Sequence, residues 1–340
     1  MELEGLAAVL ALSARDIERL SVLLTARPLV VHADSGAVDG RELAAALRRI
    51  PTVTVLVGEV AAELASAFDV CLSPDADAPS PYVPGGADDI SVAIDAHPLA
   101  CLGLVALLRS ADPADVWGAL AAESATYATL LGGRDFRRWL RGRAARTSDG
   151  PAVRLERERD QLTITLDRPD VHNAFNRAMR DELVEALELV ADDRGIGEVV
   201  LRGEGPSFCS GGDLAEFGTV DDPPTAHAVR LTRHPGWWMH VCADRIVARI
   251  HGACIGAGIE LPAFASRVEA APDAACSLPE VSMGLIPGAG GTVSITRRIG
   301  RQRLAWMALT GQSVGATTAR RWGLIDEVVD GPDGRAVSPG

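Results

Sequence analysis

The second half of the chain shows a regular succession of hydrophobic patterns. In "QLTITLDRP" apolar and polar residues alternate from Leu162 to Leu166, which predicts a strand that leads into a turn. Apolar residues then recur three or four positions apart, which predicts an amphipathic helix over 177–192. The runs "GEVVLRGEG", "DRIVARIHG" and "LIDEVVD" predict further strands, and 317–322 has helical spacing. This order predicts an α/β fold with turns at the strand ends, where substrates of such folds usually bind.

A polar stretch separates this half from the first. "RTSDGPAV" at 146–153 contains Pro and Gly and follows an arginine-rich segment, so we predict two domains, 1–147 and 148–340. In the first domain "RPLVVHADSG" is similar to "IGEVVLRGEG", and "RIPTVTVLVG" is similar to "DRIVARIHG", which aligns Gly58 with Gly252. The first domain is therefore either a degenerate internal copy of the second or an unrelated α/β piece with similar strands.

Composition narrows the classes of function. The net charge of −13 argues against a nucleic-acid or anionic-membrane surface, which needs clustered positive charge. All 33 basic residues are arginine, which excludes lysine nucleophiles and Schiff bases. The six cysteines show no CxxC pair or metal-ligand spacing, and no uncharged run approaches the ~18 residues of a membrane span. We therefore expect a cytoplasmic protein with no metal or redox cofactor.

One apolar segment contains a carboxylate that needs an explanation. "GACIGAGIELPAFA" at 252–265 carries Glu260, and burying an unpaired carboxylate is costly. Three glycine-rich turns accompany it: "FCSGGDL" at 208–214, "GAGIEL" at 256–261 and "LPEVSMGLIPGAGGT" at 278–292. Glycines let a backbone approach a ligand and direct N–H groups at it. Two converging N–H groups form an oxyanion hole, which stabilises charge that develops in a transition state.

With these turns, the chain resembles the crotonase superfamily, typified by enoyl-CoA hydratase, over about residues 155–330. The resemblance implies a ββα superhelix, or spiral, as the core of the second domain. It implies that the oxyanion N–H groups belong to Gly212 and Ala257. It also implies that Glu260 and Glu280, 20 residues apart, are the catalytic acid/base pair. Two carboxylates in one pocket should titrate as a coupled unit.

The reaction that this resemblance implies is hydration of a trans-2-enoyl-CoA to a 3-hydroxyacyl-CoA, or the reverse dehydration, in fatty acid metabolism. The coenzyme A thioester is then the substrate, and no further cofactor is expected. In the family, the turn at Ser210 contacts the adenine, the segment 168–175 lines the CoA site, and Gly288 lines the water side. The expected substrate-binding residues are Ser210, Asp213, Gly256, Gly288 and Ala174.

The resemblance also raises the question of assembly. Members of the family normally continue past the last strand into helices that cover CoA and form trimers, and 148–340 lacks this tail. The segment 97–145 has the helical character of such a tail, so we expect it to pack against 256–292 in the tail's place. We expect a homo-oligomer, with a trimer as one form. The basic cluster either forms a solvated helix face or holds the CoA phosphates; it comprises Arg134, Arg137, Arg138, Arg141, Arg143 and Arg146.

Two alternatives to a hydratase stay open. Another crotonase-type enzyme, such as an isomerase, hydrolase or decarboxylase, would usually keep the oxyanion hole and change the glutamates. A non-catalytic acyl-CoA-binding partner subunit would be consistent with the absent tail. Because Glu260 and Glu280 are both present, the sequence favours the hydratase.

Overall fold

Two compact units share the chain in an interleaved way. The computed structural model describes residues 1–34, 36–143, 150–220, 222–330 and 335–336. The first unit comprises Met1–Ala111, Pro279–Ile286 and Ile299–Gly311, and the second comprises Asp112–Leu278, Pro287–Arg298 and Gln312–Gly340. Each unit is therefore built from segments that are far apart in sequence.

The described part of the first 111 residues alternates strands with helices. The strands are β1 Glu2–Glu4, β2 Leu29–His32, β3 Thr54–Val57, β4 Val70–Ser73 and β5 Tyr82–Pro84. The helices are α1 Ala7–Leu10, α2 Ala14–Arg19, α3 Gly40–Leu47, α4 Ala62–Ala65, α5 Asp88–Ala96 and α6 Pro98–Ser110.

The remaining described residues continue in the same style. The strands are β6 Val153–Glu158, β7 Gln161–Leu166, β8 Glu198–Gly203, β9 Ile246–Ile250, β10 Ala253–Ile255, β11 Arg267–Ala270, β12 Ala275–Ser277, β13 Val314–Gly315, β14 Glu327–Asp330 and β15 Arg335–Ala336. The helices are α7 Val116–Leu131, α8 Arg134–Leu140, α9 Arg177–Asp192, α10 Pro223–Thr232, α11 Pro235–Val241, α12 Ala257–Glu260, α13 Gly291–Ile299, α14 Arg301–Thr310 and α15 Ala316–Trp322.

The first unit is a parallel α/β layer structure. Among the described residues its sheet has the order β1-β2-β3-β4-β5, and every neighbouring pair is parallel. β2, β3 and β4 are almost wholly buried, as expected for parallel strands that are covered on both faces. The largest buried side chains of this core include Leu29, Leu43, Leu47, Leu56 and Phe68. The α/β prediction for the N-terminal region is thus confirmed.

The second unit contains the strand arrangement that the family resemblance led us to expect. In the described residues its larger sheet has the order β15-β14-β11-β9-β8-β7-β6, and a smaller sheet has the order β10-β12-β13. The chain passes from β9 into β10, and again from β11 into β12, so that consecutive strands belong to different sheets. β10 leads directly into α12. This repeated strand–strand–helix path is the predicted ββα spiral.

The two units repeat one feature of topology. In the first, β2, β3 and β4 are parallel neighbours in chain order, and in the second β8, β9 and β11 have the same arrangement. Gly58 follows β3 with φ +94°, and Gly252 follows β9 with φ +54°, a backbone region that favours glycine. A duplication would produce both features, and common ancestry of the two halves stays a prediction.

A buried carboxylate attaches α14 to the first unit. The side chain of Asp69 is 1% exposed, and it accepts a hydrogen bond from Arg109 Nε at 2.9 Å. Arg301, at the start of α14, donates to the same carboxylate at 3.3 Å, and the backbone N–H of Thr54 donates at 2.8 Å. Because a buried charge is tolerated when it is paired and hydrogen-bonded, this network fixes α14 to the parallel sheet.

The structure divides the chain differently from the boundary predicted at 147/148. That boundary lies outside the described residues, and α7 and α8, which precede it, belong to the second unit. α7 packs against α10 and α11, which explains its place there. Conversely, Pro279–Ile286 and α14 belong to the first unit although they lie within 148–340. A polar stretch marks local composition, whereas long-range packing determines the units.

Helix length and hydropathy give one further result. Among the residues that the structure describes, no single helix is long and apolar enough to cross a membrane. α5 and α6 meet the test as a pair, and the two helices are bent by 113° where they meet.

The Asp69 network generates a stability prediction. Asp69→Asn would leave the guanidinium groups of Arg109 and Arg301 without their anionic partner, so the free energy of unfolding should fall by about 3–5 kcal/mol. Urea unfolding followed by circular dichroism measures the change. Glu185→Gln is the matched control, because it removes a partner of Arg233 that is 66% exposed and should cost less than about 1 kcal/mol. Equal losses in the two variants would contradict the prediction.

Candidate active site

Two of the three glycine-rich turns lie against each other in the second unit. The backbones of Cys209 and Cys254 form an isolated parallel β-bridge, and Ile255 N–H donates to the carbonyl of Cys209 at 3.0 Å. At Gly258 the two turns are so close that a Cβ atom would lie 2.3 Å from the Cys209 carbonyl oxygen. Glycine is therefore required at Gly258, and the turns at 208–214 and 256–261 form one compact feature, as their joint interpretation predicted.

Two backbone N–H groups at these turns have no acceptor among the described residues. A second parallel β-bridge joins Phe175 and Gly212. Its hydrogen bonds run from Phe175 N–H to Gly211 O at 2.7 Å and from Asp213 N–H to Phe175 O at 3.0 Å, so it does not use the N–H of Gly212. α12 begins at Ala257, and the N–H groups at the start of a helix have no partner within the helix. Within the described part of the chain, neither the Gly212 N–H nor the Ala257 N–H donates a hydrogen bond.

Gly256 gives the second turn its shape. Its φ is +51°, where a side chain would be strained, and its N–H donates to the carbonyl of Ser277 at 2.9 Å. Glu260 N–H returns to the carbonyl of Gly256 at 2.9 Å. Gly256 thus acts through backbone geometry, which positions the N–H of Ala257.

Asp213 and Ala174, both predicted to bind substrate, are held together by Arg168. The Arg168 guanidinium pairs with the Asp213 carboxylate at 3.0 Å and also donates to the carbonyl of Ala174. The Arg168 and Asp213 side chains are 11% and 13% exposed. Asp213 Oδ1 also accepts from Ala215 N–H at 3.1 Å. In this structure Asp213 therefore fixes the turn that carries Gly212, a role that the sequence analysis did not assign to it.

The predicted CoA-side residues also meet. Ser210 N–H donates to the carbonyl of His172 at 2.9 Å, which brings the Ser210 turn against the segment 168–175. Phe217 closes the other flank, because two of its ring atoms lie 3.2 and 3.3 Å from the position of a Cβ atom on Gly212. Phe217 is in edge contact with Trp139 of α8, with ring centroids 5.6 Å apart.

The basic cluster starts on α8 beside these rings. The Arg143 guanidinium lies 4.1 Å from the centroid of Trp139, in cation–π geometry. Arg138 pairs with the buried Asp135 at 3.2 Å. The last member of the cluster, Arg146, lies outside the described residues. α8 therefore lies beside the turn at 208–214, and the packing of 97–145 in the place of the family's tail stays a prediction.

Glu260 is buried beneath this feature and is held by the third turn. Its side chain is 2% exposed, and Oε2 accepts hydrogen bonds from Ala289 N–H and Gly291 N–H, both at 2.8 Å. A Cβ atom at Gly291 would lie 2.5 Å from Glu260 Cγ, so glycine is needed there. Ser294 Oγ donates to the Glu260 carbonyl at 2.6 Å. Among the described residues no donor contacts Oε1 of Glu260, which leaves that oxygen available to a ligand.

A second buried carboxylate, which the sequence analysis missed, lies at the same turn. Glu123 of α7 is fully buried; Oε1 accepts from Gly290 N–H at 2.8 Å, and Oε2 accepts from Thr292 N–H at 3.0 Å. Thr292 Oγ1 donates to Oε2 at 2.6 Å. The signal was present in "ALAAESATYATLL", an apolar run with one carboxylate, which is the criterion that singled out Glu260.

Burial changes the acid strength of both groups. Burial raises the pKa of Glu260 to about 7, against the effect of its two N–H donors and of the positive charge on Arg230. Burial, and then the charge of Glu260, raise the pKa of Glu123 to about 8. Within the second unit, Glu260 therefore has Glu123 as a neighbouring buried carboxylate. The pair predicted from the sequence, Glu260 with Glu280, stays a prediction.

The remaining predicted residues lie as follows. Glu280 is buried in a short 3-10 turn, Glu280–Met283, which belongs to the first unit, and its pairing with Glu260 stays a prediction. Gly288 contacts the ring of Tyr127, since a Cβ atom there would lie 2.4 Å from Tyr127 Cδ2. This contact allows Tyr127 of α7 to pack closely against the turn. The role of Gly288 on the water side stays a prediction.

Other features of the second unit do not match a ligand. Among the described residues no group of His, Cys, Asp and Glu side chains could hold a metal ion. A cavity of about 380 Å³ is lined by residues such as His240, Asp244, Phe264 and Arg297. It contains none of the predicted site residues, so we do not place the substrate there.

Paired glycine-rich turns on a ββα spiral, above a buried glutamate, define the crotonase class. Residues 156–333 match the family model described as enoyl-CoA hydratase/isomerase. The chain belongs to the enoyl-CoA hydratase/isomerase family.

Individual relatives agree with this assignment. The 2,3-dehydroadipyl-CoA hydratase of Escherichia coli is 35% identical over 51% of this chain and 68% of its own length. The mevalonyl-coenzyme A hydratase of Beauveria bassiana is 32% identical over 52% of this chain and 65% of its own length. The crystal structure of enoyl-CoA hydratase from Thermoplasma volcanium is 31% identical, with a TM-score of 0.50 over 54% of this chain and 74% of that one.

The close approach at Gly258 gives a prediction for the turns. Gly258→Ala should destabilise the protein by about 1–3 kcal/mol, because the new methyl group would meet the Cys209 carbonyl in a packed interior. Thermal unfolding measures this loss. Gly315→Ala is the matched control, since a Cβ atom there meets nothing within 4 Å, and it should change stability by less than about 1 kcal/mol. A Gly258→Ala protein as stable as the control would contradict the close contact.

Proposed function

We propose that this protein hydrates a trans-2-enoyl-CoA to a 3-hydroxyacyl-CoA, or catalyses the reverse dehydration. The observation that carries the proposal is Glu260, a buried carboxylate whose pKa is raised to about 7 and whose Oε1 accepts no hydrogen bond from the described residues. It lies near two turns that each offer a backbone N–H group. A general base functions best when its pKa lies near the operating pH. The family assignment supports the acyl-CoA class of substrate.

The two backbone N–H groups would act on the thioester. Gly212 N–H and Ala257 N–H would donate to the carbonyl oxygen of the enoyl thioester and stabilise the negative charge that develops on it. Because Asp213 and Arg168 fix the first turn and Gly256 fixes the second, the donors are held in place before substrate arrives. Preorganised donors of this kind cost no reorganisation at the moment of reaction.

The glutamates would move the protons. Glu260 Oε1 would take a proton from water as its oxygen bonds to C3, and the electron pair of the C2–C3 double bond would move towards the thioester carbonyl to form an enolate. Glu280 would deliver a proton to C2 as the enolate collapses to the thioester. Water is added across the double bond, with no oxidation and no cofactor besides the coenzyme A carried by the substrate.

The CoA portion would lie along the Ser210 turn and the segment 168–175. This placement is supported by the contact between Ser210 and His172, by the Phe217 ring next to Gly212, and by the Trp139 ring that contacts Phe217. Arg143 beside Trp139 would then be available to the CoA phosphates, which arginine recognises through its planar fork. We further propose a cytoplasmic homo-oligomer, on the grounds of composition and family.

The activity test uses the absorbance of the enoyl thioester. Crotonyl-CoA and a longer trans-2-enoyl-CoA should both be tried, and the absorbance should fall when wild-type protein is added. Glu260→Gln and Glu280→Gln should each lower kcat by a factor of ~10² or more, because each removes a proton-transfer group. Gln preserves the side-chain shape and an oxygen that can accept the N–H bonds of Ala289 and Gly291.

The control is Glu158→Gln, since Glu158 is exposed on β6 and far in sequence from the turns; it should retain full activity. If wild type binds both CoA esters and hydrates neither, the hydratase proposal fails. A role as another crotonase-type enzyme or as an acyl-CoA-binding partner subunit would then be favoured.

A pH profile tests the state of Glu260. The ionised form is the base, so kcat/KM should rise with pH and reach half of its plateau near pH 7, where burial places the pKa of Glu260. An ordinary exposed glutamate, with a pKa of about 4.3, would give a flat profile above pH 6. Initial rates from pH 5 to 9 in overlapping buffers distinguish the two cases. A flat profile would contradict the raised pKa.

A further inference from the structure

The turn Ala289–Thr292 is held by two carboxylates in strict alternation. The N–H groups of Ala289 and Gly291 donate to Glu260, and those of Gly290 and Thr292 donate to Glu123, at distances of 2.8 to 3.0 Å. Gly290 has φ +104°, which lets successive N–H groups point in opposite directions. Any shift of one carboxylate is therefore transmitted by this turn to the other.

The oxygens of Glu123 differ from those of Glu260 in one respect. Both oxygens of Glu123 are engaged, by Gly290, by Thr292 N–H and by Thr292 Oγ1, so that this carboxylate is fully used by the protein. Glu260 accepts its side-chain hydrogen bonds from the described residues on Oε2 alone. Glu123 is thus placed to act through Glu260, and not on a substrate.

The surroundings of the pair supply little positive charge. α10 contributes Arg230, whose guanidinium lies 4.0 Å from the centroid of the Tyr127 ring, and His227, whose Nδ1 lies 2.8 Å from Ser124 Oγ. At the start of α11, burial lowers the pKa of His234 to about 4, so that it is neutral at pH 7. Beside Glu260, burial raises the pKa of the Cys209 thiol to about 12. Arg230 contributes a positive charge that lowers the pKa of Glu260, an effect smaller than that of burial.

Two ionised carboxylates in such a setting repel each other, and one proton relieves the repulsion. Among the described residues neither Glu123 nor Glu260 forms an ion pair. The hydroxyl of Thr292, 2.6 Å from Glu123 Oε2, can turn and accept a proton that Glu123 carries. No equivalent hydroxyl contacts the Glu260 carboxylate among the described residues. The proton is therefore better accommodated on Glu123.

We propose that Glu123 is a positioning residue for Glu260: it fixes the Ala289–Thr292 turn that orients the base, and it holds the one proton that the two carboxylates share. Glu260 is left ionised with Oε1 directed to the substrate side. This inference rests on the proposed function of Glu260 as the base. Burial raises the pKa of both groups, which agrees with a proton that stays on the pair near neutral pH.

The first test separates the proton from the activity. In wild-type protein at pH 7.5, where exposed carboxylates are ionised, infrared spectroscopy should show the carbonyl stretch of a protonated carboxyl group. Because Glu280 is proposed to carry a proton as well, the test compares difference spectra: Glu123→Gln should remove one component of the carboxyl absorption, and Glu280→Gln and Glu158→Gln should each keep that component. A Glu123→Gln protein that loses no component would overturn the assignment of the proton, and this readout needs no enoyl-CoA turnover.

The second test concerns orientation. Glu123→Gln replaces one acceptor oxygen by an NH₂ group that faces a backbone N–H, so kcat should fall by ~10- to 10²-fold, the scale of a slightly misplaced reacting group. KM should change by less than about 3-fold, because both oxygens of Glu123 are engaged by the protein and are not available to a substrate. Thr292→Val is the milder variant: it keeps the backbone N–H, and it should lower kcat less.

The outcomes are distinguishable. A wild type that binds CoA esters without hydrating them, while the infrared band behaves as expected, contradicts the proposed function and leaves the shared proton in place. A Glu123→Gln protein that folds, binds CoA esters and keeps the wild-type kcat overturns the positioning role. If Glu123→Gln does not fold, Thr292→Val decides, because an unchanged kcat together with an unchanged band would exclude the proposal.

Discussion

Four successive backbone N–H groups donate hydrogen bonds to two buried carboxyl groups, and the candidate site depends on this interaction. Among the described residues neither Glu123 nor Glu260 forms an ion pair, so the turn Ala289–Thr292 supplies much of the stabilisation that water would otherwise give. The glycines of "GAGG" follow from this demand: Gly290 takes a positive φ, and Gly291 leaves room for the stem of Glu260. Because these donors carry no charge, they hold the two side chains in place and still allow either carboxyl group to gain or lose a proton.

The contrast with Asp69 shows why this matters. Asp69 is as buried as Glu260, but two guanidinium groups pair with its carboxylate. Its function is architectural, because it attaches α14 to the first unit. Glu123 performs a similar attachment for α7 in the second unit, with N–H and hydroxyl donors in place of arginine. One carboxylate secures a segment through charged guanidinium donors, and the other does so through neutral N–H and hydroxyl donors.

Local patterns predicted much of the fold. The helix predicted over 177–192 is α9, and the alternation from Leu162 to Leu166 lies within β7, because amphipathic periodicity is a local property. Glu260 was identified because its run is otherwise apolar. Glu123 satisfies the same criterion and was missed, since its partners lie 167 and 169 residues away and no local pattern joins them. The place of α7 in the second unit has the same kind of cause, because α7 packs against α10 and α11, which follow it by about 100 residues.

The chemistry proposed for the site can be expressed as an imbalance of hydrogen-bonding groups. In most folded proteins the backbone donors and acceptors are paired, and an unpaired group marks a place where a ligand can form the missing hydrogen bond. Here the neighbours of Gly212 and Ala257 are already bonded, so their two N–H groups are surplus donors, while Glu260 Oε1 is a surplus acceptor within the described residues. An enoyl thioester attacked by water presents the complementary set: a carbonyl oxygen that accepts and a water molecule that donates. Enoyl-thioester hydration therefore uses all three unpaired groups at once, which a purely structural role for Glu260 would not require.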